Sequence, residues 1–451
     1  MQHAWPWVAA VAAGGIAVWA LRRLRVVALV GAAYKAKILC TAVCACGRDM
    51  DLQRADEIHA DSYWLLRPFA ARVDHAHGSV TASLFGVCPR TAVYRPGRGA
   101  TLLPARGALV TLSQGSPSSA PRPLDPWTTA RRTPDHLQRV VDWAFAEPDP
   151  RRLRRTHAVV VVQDGVVLAE RYARGVGSDT PLPGWSMTKS VLGTLVGLLV
   201  SAGRLTLADR ELLPAWRSPD PRSAIQLEDL LRMRSGLRFS ESYANPWSDV
   251  LQMLFNCGDA AAYAANRPLA AKPGTLWSYS SGTTNILSAI VRRTVGDDEY
   301  ASWPRRILFD PLGMRSAMLE PDASGTFVCS SFMVATARDW ARFGQLWLDR
   351  GSWRGRQIVP ASWVDFSTTP TAQSPDGRYG AHWWLKLNPE IGGDTPTAAA
   401  IAPDAFFAIG HEGQTLTVIP SKRLVVVRMG VSIHIDAWNH AAFVAALQLA
   451  V

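Results

Sequence analysis

From Ala158 to Tyr172 the chain reads AVVVVQDGVVLAERY, two β-branched runs on either side of Gln163-Asp164-Gly165. A glycine-containing turn between such runs predicts a β-hairpin. Helical periodicity then takes over across Ser186 to Ala202, Gln226 to Arg234, Thr283 to Thr294 and Ala337 to Asp349. Strand patterns return in Gly413 to Pro420 and Arg423 to Ile433, joined by Pro420-Ser421-Lys422, and a last helix is expected over Ala437 to Leu449. Strands at both ends of a unit with helices between them imply an α+β domain whose N- and C-terminal strands join in one antiparallel sheet. Upstream, Ser79 to Val87 and Arg90 to Arg95 alternate as strands do, and the Ser- and Pro-rich stretch Gln114 to Pro126 reads as a linker or long surface loop. The expected division is a membrane anchor or signal segment (1–25), an N-terminal extension and linker (26–130) and one catalytic-sized unit (131–451).

The N-terminal run WPWVAAVAAGGIAVWAL, Trp5 to Leu21, is uncharged and of roughly the minimum length for a membrane-spanning helix. A cleaved signal peptide would carry Lys or Arg ahead of the apolar run, which this chain lacks. A buried soluble helix would show a polar face. A signal anchor is the preferred reading. Arg22, Arg23 and Arg25 follow at once, a placement that predicts a cytoplasmic location for the chain after the span.

Composition adds three constraints. With 451 residues, 48% of them hydrophobic and 9% aromatic, the chain can bury a large core. A formal charge of +11 raises the question of nucleic acid, but the basic residues are spread along the chain with no nucleic-acid motif beside them. A solvated basic surface facing anionic lipid fits better. The six cysteines, Cys40, Cys44, Cys46, Cys88, Cys257 and Cys329, show no paired metal-ligand spacing, so disulfides and free thiols both stay open.

Candidate chemistry begins with Ser186 and Lys189. Residues three apart on a helix share a face, so the lysine can reach the serine hydroxyl. A serine is a poor nucleophile until a base takes its proton. Lysine can be that base when burial disfavours its charged form, and the apolar run behind Ser186 supplies the burial. A helix N-terminus also offers backbone N–H groups to a developing oxyanion. Ser-x-x-Lys arises by chance in many helices, so the rest of a site has to be sought elsewhere. Lys272 to Leu287, KPGTLWSYSSGTTNIL, offers Tyr279 as a proton relay and Ser281 as a hydroxyl to hold substrate or lysine. Ile409 to Pro420, IGHEGQTLTVIP, sets His411-Glu412 between glycines that let backbone approach a ligand. Position 415 is Thr415, so the HExxH zinc pattern is absent and no metal is expected.

In this order, Ser186-Met-Thr-Lys189, Tyr279-Ser-Ser281 and His411-Glu-Gly413 resemble the penicillin-recognising serine hydrolase superfamily, in its class C β-lactamase and esterase branch. That family carries Tyr-x-Asn and Lys-Thr-Gly where this chain has Ser281 and His411-Glu412. The departures are similar to those of aminohexanoate-oligomer (nylon-oligomer) hydrolases. Leu227 to Leu237 resembles the family's Leu-Leu-x-x-x-Ser-Gly-Leu signature, Phe332 to Gly355 its Ala-Thr-Ala-Arg-Asp helix, and Tyr379 to Leu385 its substrate-side Trp-Trp strand.

The resemblance implies a β-lactamase/transpeptidase-like fold, an antiparallel sheet flanked by helices with an inserted, mainly helical subdomain. It implies Ser186 as nucleophile, Lys189 as base, Tyr279 as the group that protonates the leaving amine or alkoxide, and Ser281 as a tuning hydroxyl. The oxyanion hole would be the N–H groups of Ser186 and Gln414, beside Gly413, and His411 would shape the site without acting as a triad histidine. It implies no cofactor, and a small amide or ester as substrate. Relatives with such an extension are generally bacterial envelope proteins, which implies inner-membrane anchoring with the catalytic unit in the periplasm, against the signal of Arg22 to Arg25. Two alternatives accompany this reading: a peptidoglycan-directed D-amino-acid peptidase or weak β-lactamase, and a membrane-anchored binding or sensor protein that turns nothing over.

Overall fold

The computed structural model describes residues 5–53, 65–104 and 127–451. The predicted linker, 114–126, lies outside the described residues. The N-terminal run forms one helix, α1 (Trp5–Leu39), which ends in a wider turn at Cys40–Ala45. Four strands follow as an antiparallel meander: β1 (Phe69–Asp74), β2 (Ser79–Leu84), β3 (Val87–Arg95) and β4 (Gly99–Leu102). Two of them match the predicted strands. Then come α2 (Asp135–Phe145), β5 (Thr156–Gln163), β6 (Val166–Tyr172), α3 (Thr188–Ser201), α4 (Asp249–Phe255), α5 (Ser281–Val295), α6 (Ala337–Leu348), β7 (Phe406–Gly410), β8 (Gln414–Ile419), β9 (Leu424–Gly430) and α7 (His440–Leu449).

The predicted hairpin is β5–β6, turned at Asp164 (φ 50°) and Gly165 (φ 76°), the left-handed pair that matches strand twist. The main sheet runs β7-β8-β9-β5-β6, every pair antiparallel. The first and last strand groups of the unit are thus joined at β9–β5, with Leu424 opposite Gln163 and Arg428 opposite Val159. Alternation sorts the valines: Val160, Val162, Val425 and Val427 face one core with α6, and Val159, Val161 and Val426 face a second with α2 and α7. Burial on both faces explains why these strands read as unbroken valine runs. All of this is the expected α+β arrangement of sheet, flanking helices and a mainly helical insert.

Two local outcomes differ from the sequence reading. Ser186 lies in a short 3₁₀ turn, Trp185–Met187, one step before α3 starts at Thr188. Tyr379 to Leu385 is a series of bends, with His382 at φ 59°, and only Trp384 pairs with the sheet, exchanging backbone hydrogen bonds with Phe407 at 2.9 and 2.7 Å.

Helix α1 has two halves. Residues 12–25 are exposed apart from half-buried Ala20, while most of 28–42 is buried. The buried half joins the same hydrophobic core as α3 and α4, through Val30, Ala33, Tyr34 and Leu39. Its two lysines are paired. Lys35 Nζ donates to the carbonyls of Leu66 (3.1 Å) and Phe69 (2.6 Å), and Lys37 forms a close ion pair with Glu320. All six cysteines are free thiols.

Candidate active site

The Ser186 turn is fixed by its neighbours. Gly184 N–H donates to the Met333 carbonyl at 2.9 Å, and a Cβ on Gly184 would overlap the Trp340 ring. Trp185 takes φ 48°, a conformation a bulky side chain adopts only where its surroundings enforce it. Trp185 is buried against Tyr34, Tyr243, Phe332 and His411, which supply that enforcement. The Thr188 hydroxyl ties back to the Trp185 carbonyl at 2.6 Å.

Lys189 is 2% exposed, and its ammonium uses three donors on three acceptors: Ser186 Oγ at 2.8 Å, Ser281 Oγ at 3.0 Å and the Ser330 carbonyl at 2.9 Å. Burial lowers its pKa to about 8, and the Glu241 carboxylate opposes the shift. The ammonium also lies 4.8 Å from the Tyr279 ring centroid. Burial, then the Glu241 charge, raise the Tyr279 pKa, while a hydrogen bond with Ser186 pulls it down. Tyr279 is held by Trp384 (5.3 Å between centroids) and Tyr379 (5.9 Å).

Ser281 opens α5, whose N-cap is Ser280, with Oγ accepting from Thr283 N–H at 3.1 Å. Ser281 donates its hydroxyl to Glu241 and its N–H to Glu241 Oε2 at 2.9 Å. The structure therefore brings Ser186, Lys189, Tyr279 and Ser281 into one hydrogen-bonded group and adds Glu241, which sequence reasoning missed.

His411 sits in the turn between β7 and β8, stacked on Tyr243 at 4.2 Å and edge-on to Trp185 at 5.2 Å. Burial lowers its pKa to about 4, so the imidazole is neutral at pH 7. The turn passes through two left-handed residues, Glu412 (φ 65°) and Gly413 (φ 84°), before Gln414 opens β8. A Cβ on Gly410 would overlap the Gly184 carbonyl oxygen, so the hairpin meets the Ser186 turn backbone to backbone.

Arg428, fully buried on β9, donates to the Gly413 carbonyl at 3.0 Å and to the Arg154 carbonyl at 2.6 Å. C=O and N–H of one trans peptide point opposite ways, so the Gln414 N–H is turned away from Arg428. The Gln414 side chain is occupied elsewhere, its Oε1 accepting from Gly430 N–H at 2.9 Å. Arg428 was also missed. Its one sequence signal is a charge inside the apolar run RLVVVRMGV.

Residues 141–430 match the beta-lactamase family profile. The chain belongs to the beta-lactamase family. A 6-aminohexanoate-dimer hydrolase of Paenarthrobacter ureafaciens is 29% identical over 352 residues, covering 72% of this chain and 84% of that protein. Among solved structures, a Bacillus anthracis protein assigned as a 6-aminohexanoate-dimer hydrolase superposes with TM-score 0.55 at 25% identity, covering 66% of this chain and 80% of its own. The octameric penicillin-binding protein homologue of Pyrococcus abyssi superposes at TM-score 0.52 and 18% identity, covering 69% and 76%, a likeness of fold. This beta-lactamase-family protein is a hydrolase. The match leaves the first 140 residues outside the family region, among them α1 and the four-stranded meander. One described helix, Ala12–Ala45, is long and apolar enough to cross a membrane, with mean hydropathy 1.7 in its most apolar window.

Proposed function

We propose that the protein is a serine hydrolase that cleaves amide or ester bonds through an acyl-enzyme at Ser186. The observation that carries this reading is the buried Lys189 ammonium 2.8 Å from Ser186 Oγ, with a pKa of about 8. Neutral Lys189 takes the hydroxyl proton as Ser186 attacks the substrate carbonyl. The N–H groups of Ser186 and Gln414 receive the developing oxyanion, each worth about two to three powers of ten in rate. Supporting this, the Ser186 N–H lies in the first turn of a helical segment, and Arg428 turns the Gln414 peptide. Tyr279 passes the proton to the leaving amine or alkoxide and then helps activate the deacylating water. Ser281, fixed by Glu241, keeps Lys189 aimed at Ser186. Neutral His411 and its stacked Tyr243 form a wall without positive charge, which weighs against substrates recognised by a carboxylate and so against a peptidoglycan peptidase.

The exposed half of α1 anchors the enzyme to the bacterial inner membrane, with the catalytic unit in the periplasm. Arg22 to Arg25 favour the opposite face. Protease digestion of intact spheroplasts decides between them: cleavage of the catalytic unit supports the periplasm, and protection places it in the cytoplasm.

Intact-protein mass spectrometry after fluorophosphonate treatment tests the chemistry. The expected result is one adduct, mapped to Ser186, that disappears in Ser186→Ala. A well-folded wild type that takes no adduct would refute the acyl-enzyme.

Because Lys189 must be neutral to act, kcat/KM should fall about tenfold per pH unit below pH 8. Glu241 raises the lysine's pKa, so Glu241→Gln should move this acid limb to lower pH, read from a full pH–rate profile. A limb that stays in place would show that Glu241 acts only as a scaffold.

A further inference from the structure

We propose that this site takes its substrate from a bilayer, a long-chain acyl amide or ester whose chain stays partly in the membrane while its acyl carbon reaches Ser186. The inference rests on the acyl-enzyme and anchor readings above and names the substrate class they serve.

The first observation is the continuity of α1. Its outer half exposes Ile16, Val18, Trp19, Leu21 and Leu24, each at least 50% accessible, and carries no acidic residue. Up to Leu21 the exposed positions are uncharged all around the helix, which suits an apolar medium better than a single protein groove; Arg22, Arg23 and Arg25 follow at its end. The same helix continues unbroken into the catalytic core, where Tyr34 stacks on Trp185, the residue before Ser186, at 6.4 Å.

The second observation fixes the level of the site. Trp247 is 42% exposed and belongs to the segment that carries Glu241 and Tyr243. It lies 5.1 Å from the Arg23 guanidinium, which is itself 5.4 Å from Trp19. Tryptophan and arginine at the end of an apolar span are the residues that gather at a membrane interface. From Arg23 to Tyr34 is eleven residues of helix, about 16 Å at 1.5 Å per residue. One short segment touches both levels, Trp247 at Arg23 and Tyr243, four residues earlier, at Trp185 and His411, and an extended long-chain acyl group is long enough to cover the distance between them.

The third observation is the lining. Tyr243, stacked on His411, and Tyr279, packed with Trp384, are both part-exposed; Leu276, 52% exposed, precedes Trp277, whose ring meets Trp384 at 6.2 Å. These surfaces receive methylene groups, and the neutral His411 among them presents no charge to repel or recruit. The reaction balances as a hydrolysis. The Ser186 Oγ–acyl bond forms as the C–N or C–O bond breaks, the leaving group departs with the serine's proton, and water then cleaves the acyl-enzyme to a long-chain acid.

The test uses the full chain in phosphatidylcholine/phosphatidylglycerol vesicles, with p-nitrophenyl palmitate in the bilayer and p-nitrophenyl acetate in solution. The palmitate should be turned over with kcat/KM about tenfold or more above the acetate. Trp247→Ala combined with Leu276→Ala should lower the palmitate-to-acetate ratio about fivefold; both residues are exposed, so the fold should survive. Trp247→Phe, which keeps an aromatic ring over Arg23, should recover most of the ratio. Equal turnover of the two esters, or a ratio that the variants do not move, would overturn the inference while leaving the acyl-enzyme intact. Failure to hydrolyse either ester, with no fluorophosphonate adduct, would overturn both.

Discussion

Lys189→Met should lower kcat/KM on any ester substrate by about three to four powers of ten at pH 8, and Ser186→Ala by at least as much. Both side chains belong to one proton-transfer unit, so the double variant should be scarcely worse than either single one. Methionine fills most of the lysine's volume, which keeps the loss from being a packing defect. The site's other hydrogen bonds make the result diagnostic: Ser281 keeps its two bonds to Glu241 when Lys189 is gone, so its framework survives while the base is lost. Steady-state kinetics beside a thermal melt separate the two effects. A Lys189→Met enzyme retaining a tenth of wild-type activity would remove lysine from the role of base and leave Tyr279 to be tested in its place.

Lys37→Met should destabilise the protein by about 3–5 kcal/mol, the cost of stranding a buried charge. The Lys37 and Glu320 side chains are each 2% exposed. Glu320 also accepts from Thr41 Oγ1 at 3.0 and 3.1 Å and from Ala100 N–H at 2.6 Å, so α1, the meander and the helical insert converge on one carboxylate. Without Lys37 that carboxylate keeps its neutral donors and loses its counter-charge. Glu320→Gln in the same chain should recover roughly half of the loss, because an uncharged amide keeps hydrogen-bonding capacity without needing a cation. Denaturant midpoints of the full-length chain and its two variants measure this. A Lys37→Met midpoint equal to wild type would mean that α1 is only loosely docked. Lys37 also lies 4.1 Å over the ring of Phe332, two residues along the chain from Ser330, whose carbonyl holds Lys189, so a partly undocked α1 should slow fluorophosphonate labelling as well.

Much of this was legible in the chain because it is written in short-range patterns. The valine runs around Asp164-Gly165 and the glycines around His411-Glu412 mark a hairpin and a tight turn by local steric demands. The spacing of Ser186 and Lys189 stands out only beside the Tyr279-Ser-Ser281 and His411-Glu-Gly413 segments that follow it in order, and the structure brings Ser186, Lys189, Tyr279 and Ser281 together. Glu241 did not, since its segment FSESYANP has no periodicity and its partner Ser281 is forty residues away in sequence. Arg428 was hidden for the converse reason: a charge in an apolar strand looks like a surface position until the carbonyls that surround it are known. The reach of α1 was obscured in the same way. The uncharged run stops at Arg22, but a helix does not end at a charge that can stay exposed, and Lys35 and Lys37 read as polar although both are buried and paired. The Tyr379 to Leu385 segment shows the opposite error, a strand expected from the resemblance and not formed, because its rings pack on Tyr279 and the α6 side of the core instead of extending a ladder.

Gly184 and Gly410 bring the Ser186 turn and the β7–β8 hairpin together with no side chain between them. That junction acts as a fixed gauge: the gap between serine and hairpin amide is set by main-chain atoms, which no change of side chain can widen without dismantling the join. New substrate ranges in descendants of this enzyme must therefore arise at exposed positions away from that join, such as Trp247 and Leu276, where bulk can be exchanged while the reacting atoms keep their spacing.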